Sequence, residues 1–365
     1  MPDPNNRRIA RLRELAQQGL HERNPDTSNP IARLIVRNIL SPVLFGCLFG
    51  LVAPIVSRAA QNSETKSPAA PALRFRFEAV TDKSLGLWEG ERPVLVYNHG
   101  IMSKPGVPAA HNRSTYIHPI YGLDGEVLTD DFPADHVDHR GLYWAWPHIK
   151  IGSQEYDLWS MRGIQYEFQR WLAQETKPNM AILGVENGWF VGDKQVMREI
   201  VRIKVHPASS ESRSLDFELT WTPTDQSITL WGAEGKSYGG LTLRFGPRSR
   251  TIITVPTGRT SEDLLLTKLP WADLSGNLNQ KAAGLSGAAL FVHPEHPDFP
   301  PAWMTRHYGL LAVGWPGVTP QTLPAGKPFT CRYRLWIHRG APEAAEIQKA
   351  YEAYGATNKL QQVVR

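Results

Sequence analysis

Three of the twelve histidines, His118, His136 and His139, lie within residues 116–146. Arg140 directly follows the third of these, and several aspartates are interspersed among the three histidines. Imidazole titrates close to neutral pH, so it moves protons well, and in its neutral form it binds metal ions. Proline and glycine interrupt the stretch too often for a helix, which predicts loops and strand ends where polar side chains meet a ligand. We therefore expect any chemistry of this protein to take place here.

The pair His136 and His139 is the most concentrated part of this stretch. In an extended segment, His136 and Asp138 would share one face and His139 would lie on the other, but a bend at a neighbouring proline or glycine would bring both histidines to one site. Two imidazoles beside carboxylates suit general acid/base catalysis, because a carboxylate fixes the imidazole tautomer and tunes its pKa. Arg140 would hold a carboxylate, a phosphate or a polarised oxygen. The alternative is a set of structural hydrogen bonds within a loop.

We assign the catalytic role to His118, His136, His139 and Arg140. Other segments carry side chains suited to holding a substrate, next to prolines, glycines or aromatic residues. Each also has an ordinary structural interpretation as a turn, a hairpin or a core residue. The predicted substrate-binding residues are Tyr121, Trp144, Glu234, Lys236, Tyr238, His293, Glu295 and Arg306.

No spacing in the chain is diagnostic of a metal site. We predict no cofactor; a divalent metal is the alternative, with His136, His139 or His293 as ligands on the strength of ligand type. The two cysteines, Cys47 and Cys331, match no zinc pattern. The Gly-x-Ser-x-Gly pattern of serine hydrolases is also missing.

The composition is that of a globular protein. The chain has 365 residues, 41% of them apolar and 21% charged, with 12 tryptophans. These values provide for a sizeable core and exclude a wholly disordered chain. The net charge of +5 comes largely from arginines before residue 38. Because the remainder has no long basic run, we expect no nucleic-acid partner.

Residues 1–60 have the pattern of an export signal. A polar, arginine-rich segment precedes an apolar run at residues 39–56 and small residues up to Ala60. We predict a cleaved signal followed by a linker at residues 61–72, and hence a periplasmic or extracellular protein. The alternative is an uncleaved anchor, in which residues 39–56 are the contact with a membrane. That run is close to the minimum length for a span, and its prolines weaken it.

Residues 73–365 predict a single, mainly β domain. Short alternating segments separated by turn signals are typical of a large antiparallel β-sandwich. Helical patterns occur at residues 164–174 and, more clearly, at 342–354, which predicts a C-terminal helix. No βαβ alternation or glycine-rich nucleotide loop is present. Strands are predicted at residues 73–80, 92–100, 200–205, 215–221, 226–231, 241–245, 251–255, 287–293 and 331–338.

Several segments together resemble a bacterial family of unassigned function that has carried the label "methane oxygenase PmoA-like". The matching segments are Tyr116–Gly122, Asp131–Leu142, Tyr238–Arg244, Trp271–Gly276, His293–Pro297 and Arg306–Gly309. The resemblance implies a galactose-mutarotase-like β-supersandwich and a role in carbohydrate breakdown. Since mutarotases use two histidines and a carboxylate, it also implies the histidines of residues 116–146, with Asp135, Glu234 or Glu295 as the carboxylate.

These observations predict an exported enzyme that acts on a glycoside or an oxidised (keto) sugar by histidine-based acid/base catalysis. The reaction would be hydrolysis, elimination or epimerisation. The sequence shows no identifiable pair of catalytic carboxylates, which argues against ordinary glycoside hydrolysis. The alternatives are a non-catalytic carbohydrate-binding protein that uses the same residues and a metal-dependent oxygenase.

Overall fold

The computed structural model describes residues 74–278 and 284–362. The predicted signal and linker at residues 1–72 lie outside this part, so the predictions of export and of a membrane anchor stay predictions. No helix in the described ranges is long and apolar enough to cross a membrane.

Two large antiparallel sheets form the body of the domain. Strands are numbered along the chain. Sheet one has the spatial order β1 (Phe75–Thr81), β2 (Ser84–Glu89), β3 (Arg92–Asn98), β4 (Tyr116–Ile120), β5 (Leu142–Ala145), β13 (Gly240–Arg244), β20 (Leu310–Gly314), β19 (Ala302–Arg306), β16 (Thr267–Lys268). Sheet two has the order β15 (Gly258–Thr260), β14 (Ser249–Val255), β17 (Trp271–Asn277), β18 (Ser286–Val292), β22 (Phe329–Arg339), β11 (Ser212–Pro223), β10 (Lys194–Val205), β9 (Met180–Val191), β8 (Gln165–Lys177).

A small third sheet and one α-helix complete the described elements. Sheet three has the order β21 (Gln321–Leu323), β12 (Ile228–Trp231), β6 (His148–Ile151), β7 (Gln154–Tyr156). A short 3-10 turn covers Ala109–His111, and helix α1 covers Ala344–Gln362. The mainly β, antiparallel architecture with one C-terminal helix is confirmed, and each predicted strand coincides with an observed one.

The prediction of a helix at residues 164–174 is wrong, because this segment is β8, an edge strand of sheet two. Its pairing with β9 shifts register between Phe168 and Arg170 and again between Trp171 and Ala173. Each irregularity places one extra residue in the strand and breaks the two-residue alternation. The apolar residues therefore have a spacing that resembles a helical period.

The core lies between sheets one and two and contains a buried carboxylate, Glu199 of β10. The indole N–H groups of Trp144, Trp189 and Trp221 donate to its Oε2 at 2.7, 3.0 and 2.8 Å. The amide of Asn187 donates to Oε1 at 3.0 Å. Four donors compensate for much of the desolvation of this carboxylate, so both sheets are joined by a polar centre as well as by apolar packing.

Helix α1 packs on the face of sheet two that points away from sheet one. Its buried Ile347, Tyr351 and Tyr354 contact Trp271 and Phe291 of that face. The helix therefore covers part of the outer face of sheet two, whereas the outer face of sheet one is covered by loops.

Candidate functional site

The outer face of sheet one is the face directed away from sheet two. Trp144 of β5 points to sheet two, where it donates to the core carboxylate, so its neighbour Tyr143 points outward. Thr242 of β13 lies opposite Tyr143, and Arg244 follows two residues later on the same face. Through β20, Arg306 of β19 is in register with Arg244. The sheet thus presents a row of polar side chains beneath the loops.

His136 and His139 meet above this face. Two successive turns bend the chain here, with the N–H of His136 donating to Pro133 and the N–H of His139 donating to His136. The two imidazole rings stack with centroids 4.6 Å apart and planes 8° apart. Tyr308 stacks on His136 at 4.8 Å. These two turns provide the bend that brings both histidines to one place.

Asp135 fastens this loop to the sheet. Arg244 donates to its two carboxylate oxygens at 2.8 and 2.9 Å, and the guanidinium lies 4.9 Å from the Tyr308 ring. Partial burial alone would raise the pKa of Asp135, but hydrogen bonds from Arg244 and His136 outweigh burial and lower the pKa. Asp135 is therefore an ionised anchor for the loop at residues 133–139 that carries His136 and His139, the histidine loop.

Aromatic rings continue from His139 along the face. Trp159 meets His139 edge-on at 5.7 Å between centroids and Tyr238 at 4.5 Å. Asp157 holds this loop by accepting the N–H of Trp159 at 2.7 Å and that of Ser160 at 2.9 Å. Trp159 is consequently fixed in place between the histidine pair and Tyr238.

Buried polar atoms without a partner in the described residues gather under these rings. They are Tyr143 Oη, Thr242 Oγ1, His139 Nδ1 and both Nε and Nη1 of Arg244. None of the four residues is more than 5% exposed. Most buried polar groups have hydrogen-bond partners, so these atoms are available for hydrogen bonds to water or to a ligand.

His118 and His139 are both neutral at physiological pH. Burial, reinforced by Lys104 and Arg140, lowers the pKa of His118 to about 4. Burial, reinforced chiefly by His136 and Arg244, lowers the pKa of His139 to about 3. Each ring therefore has one nitrogen able to accept a proton.

Arg140 holds the loop from within. Its side chain is 1% exposed, and it donates to the carbonyl oxygens of Val137 and His139, each at 2.7 Å, and of His111. Its guanidinium carbon lies 3.5 Å from the centroid of the Phe132 ring. These contacts make Arg140 a positioning residue rather than a group that faces a ligand.

Strained backbone surrounds the same face. Non-glycine residues rarely adopt a positive φ. Four of the six that do so in the described ranges are Thr115, Phe132, Met161 and Ser237, with φ of 58°, 48°, 59° and 60°. Phe132, Met161 and Ser237 lie within two residues of Asp131, Trp159 and Tyr238 respectively, and Thr115 lies three residues before His118. Such strain concentrates at functional sites, which is a second reason to place the site here.

The structure places five of the predicted residues on the outer face of sheet one or in the loops above it: His118, His136, His139, Tyr238 and Arg306. The sequence did not identify Tyr143, Thr242 and Arg244 as site residues. Alternation along β5 and β13 shows which side chains share a face, but not whether that face points to the core or to the outside. Trp159 and Tyr308 were missed as well, because a tryptophan or tyrosine in a loop is as readily a core residue.

Other predicted site residues lie elsewhere. Trp144, predicted to bind substrate, is a core residue because its indole donates to Glu199. His293 and Glu295 line a groove of about 690 Å³ on the outer face of sheet two, together with Arg334 and Tyr354 of that side.

The three remaining predicted residues lie in the connections between strands. Tyr121 pairs with Val127 in an isolated bridge, and Glu234 and Lys236 are exposed in a turn closed by Ala233. Within the described ranges, no group of three or more His, Cys, Asp or Glu side chains is arranged to hold a metal ion.

Comparison with known proteins identifies a family but no reaction. A family model described as "Family of unknown function (DUF6807)" matches residues 86–352. That description contains no oxygenase label. No curated protein matches the chain.

Three solved structures are similar at low identity. A polysaccharide lyase, BACCELL_00875, is 10% identical with a TM-score of 0.31, covering 74% of this chain and 34% of its own, so the chain spans about a third of that protein. A GalM/aldose epimerase homologue from C. elegans is 8% identical with a TM-score of 0.30, and the match covers 73% of this chain and 99% of that protein. A galactose mutarotase related enzyme from Lactobacillus acidophilus is 8% identical with a TM-score of 0.29, covering 72% and 97%. Likenesses at this level say nothing about the reaction.

Proposed function

The chain belongs to the DUF6807 family of unknown function, and we propose that the outer face of its sheet one binds a sugar and acts on it by histidine-based proton transfer. One observation carries this proposal: the unpartnered buried polar atoms of Tyr143, Thr242, His139 and Arg244 converge beside the stacked histidine pair. The surrounding geometry supports the choice of ligand and of chemistry.

The donors and acceptors of the cluster match a polyhydroxylated ligand. The hydroxyls of Tyr143 and Thr242 both donate and accept, whereas the free nitrogens of Arg244 only donate. Sugar hydroxyls do both, so they satisfy either kind. Trp159 and Tyr238 border the cluster and offer aromatic faces to the apolar face of a sugar ring. A sugar therefore fits the site better than an apolar or a purely anionic ligand.

The histidines favour a substrate with an acidic C–H bond. Because burial depresses the pKa of His118 and His139, both are weak bases. A carbonyl group acidifies the C–H bonds beside it, so a weak base is able to remove that proton. We therefore place an oxidised (keto) glycoside ahead of an unmodified one, and elimination ahead of hydrolysis or epimerisation.

A panel of native and keto glycosides tests the proposal. Binding is measured by calorimetry, and products are detected by NMR and mass spectrometry. We expect at least one of His118→Gln and His139→Gln to lower turnover by about 100-fold or more. His148→Gln is the matched control, since His148 also stacks on an aromatic ring, that of Trp231 at 4.9 Å, but lies on sheet three.

Two outcomes would contradict the proposal. Saccharide binding without turnover by the wild-type protein would make it a non-catalytic carbohydrate-binding protein. The absence of binding to every saccharide in the panel would remove the sugar site itself.

A further inference from the structure

A second group of titratable side chains surrounds Asp131, just beyond the histidine loop. The hydroxyl of Tyr116 donates to Asp131 Oδ2 at 2.8 Å. Arg140 Nε lies 3.6 Å from Oδ1, and Oδ1 is buried with no hydrogen-bond partner in the described residues. One carboxylate oxygen is therefore held, and the other is left for a proton or a ligand.

His118 shares this environment. Tyr116 and His118 are two residues apart on β4, so their side chains lie on one face. Lys104 donates to the backbone carbonyl of Asp131 at 3.4 Å, and its charge acts on both His118 and Asp131. Arg140 also acts on both. His118 and Asp131 therefore face the same two cations.

The hydrogen bonds of His118 leave one ring nitrogen available. Its Nδ1 lies 2.9 Å from Thr129 Oγ1, which also accepts the N–H of Ile120 at 3.1 Å. Nε2 has no hydrogen-bond partner in the described part of the chain. Thr129 thus orients the ring and directs Nε2 away from the strand.

We propose that Asp131 and His118 form the acid/base pair of the site, with Tyr116 and Arg140 positioning the carboxyl group. The inference rests on the proposed function and names its catalytic groups. In elimination from a keto glycoside, His118 Nε2 takes the proton from the carbon beside the carbonyl. The C–O bond to the leaving group breaks, a C=C bond forms, and Asp131 Oδ1 gives its proton to the departing oxygen. The products are an unsaturated ketone and an alcohol.

The charge environment supports this assignment of roles. Burial raises the pKa of Asp131 to about 6, aided by Asp130 and opposed by Arg140, Tyr116 and Lys104. Burial lowers the pKa of His118 to about 4. Between these values the carboxyl is mostly protonated and the imidazole mostly neutral, which reverses the usual order of the two groups. Separated pKa values of this kind identify the acid and the base of a pair.

The alternative is that Asp131 only neutralises the buried Arg140. That role needs an ionised carboxylate throughout the neutral range and does not involve His118. Catalysis instead needs the protonated carboxyl, so the two interpretations predict different dependence on pH.

The test measures turnover of the keto-glycoside panel against pH in wild type, Asp131→Asn and Tyr116→Phe. We expect the wild-type rate to fall above about pH 6 and Asp131→Asn to lose about 100-fold or more with saccharide affinity retained. Tyr116→Phe should shift the pH at which turnover falls and keep most of the maximal turnover. Asp225→Asn is the matched control, because Asp225 pairs with Lys194 on the surface at 2.9 Å.

An NMR titration of the wild-type carboxyl carbons and imidazole nitrogens makes the test independent of variant folding. Titration of Asp131 near pH 6 and of His118 near pH 4, with both signals moving when a saccharide binds, is the expected result. An Asp131 that titrates below pH 4, or an Asp131→Asn variant with the full rate, would overturn the pair while leaving the sugar site intact. A wild type without turnover would instead overturn the proposed function.

Discussion

Arg244 links sheet one to the histidine loop, and it also carries two of the unpartnered buried polar atoms. One of its terminal nitrogens holds Asp135, while its other two nitrogens are buried without a partner in the described residues. One nitrogen of this side chain thus makes a structural contact, and the other two are available to a ligand. These two roles are separable, because different atoms serve them.

Replacing Arg244 by Met should weaken saccharide binding by about tenfold or more, because it removes charged donors worth about 1.5–3 kcal/mol each in a buried site. Calorimetry with the best ligand of the panel measures the change. Asp135→Asn is the informative partner variant, since it weakens the anchor but keeps both free nitrogens. If Asp135→Asn weakened binding as much as Arg244→Met, the guanidinium would act only through the loop.

Glu199 gives a prediction about stability. In Glu199→Gln an amide N–H₂ replaces one acceptor among four donors, so at least one buried donor loses its partner. We expect the free energy of unfolding to fall by about 2 kcal/mol or more. Urea denaturation measures it. Glu175→Gln on the edge strand β8, whose exposed carboxylate lies 3.3 Å from Lys177, should lose less than about 1 kcal/mol.

Strand β20 positions the loop that carries Tyr238 by passing close beneath it. A Cβ atom at Gly314 would lie 2.1 Å from the carbonyl oxygen of Ser237, which has a positive φ. The close approach of strand and turn therefore requires glycine for steric reasons. The aromatic border of the site depends on this contact between two elements.

Gly314→Ala should destabilise the protein by about 1–3 kcal/mol and displace the Tyr238 loop, because backbone must move to accommodate the methyl group. Urea denaturation and the tryptophan fluorescence of Trp159 report the two effects. Gly284→Ala is the matched control, since a Cβ there has no neighbour within 4 Å. Equal effects of both substitutions would contradict the steric argument.

The whole domain carries several buried neutral histidines, which links its stability to pH. Burial lowers the pKa of His118 and His296 to about 4 and that of His139 to about 3. Since the unfolded chain binds these protons near pH 6.5, stability is present above that pH and is lost as the pH falls towards 4. Asp131 acts in the opposite sense, because its raised pKa removes stability as the pH rises from about 4 to 6.

Three histidines outweigh one carboxyl, so the free energy of unfolding should fall by on the order of 4 kcal/mol between pH 7 and pH 5. Urea denaturation at the two pH values measures it. His296→Gln, which lies away from the proposed site beside Tyr333, should reduce the pH-dependent loss by about 2 kcal/mol, close to half of it. A loss unchanged in that variant would show that His296 titrates normally.

The alternation along the chain determined the strands, because period-two patterning is a local property of a half-buried strand. It failed at residues 164–174, where irregular pairing in β8 breaks that period. The histidine loop was also predictable, because His136 and His139 are close in sequence and needed only a bend.

The tertiary structure alone decided which residues face the proposed site. Tyr143 and Trp144 are neighbours in sequence, yet one faces the proposed site and the other the core, since the packing of two sheets chooses the inward side. His293 and Glu295 have suitable chemistry but follow a strand of sheet two, so strand order places them on the opposite outer face. Residue type and spacing thus predicted the region of the proposed site, while sheet packing determined which side chains lie in it.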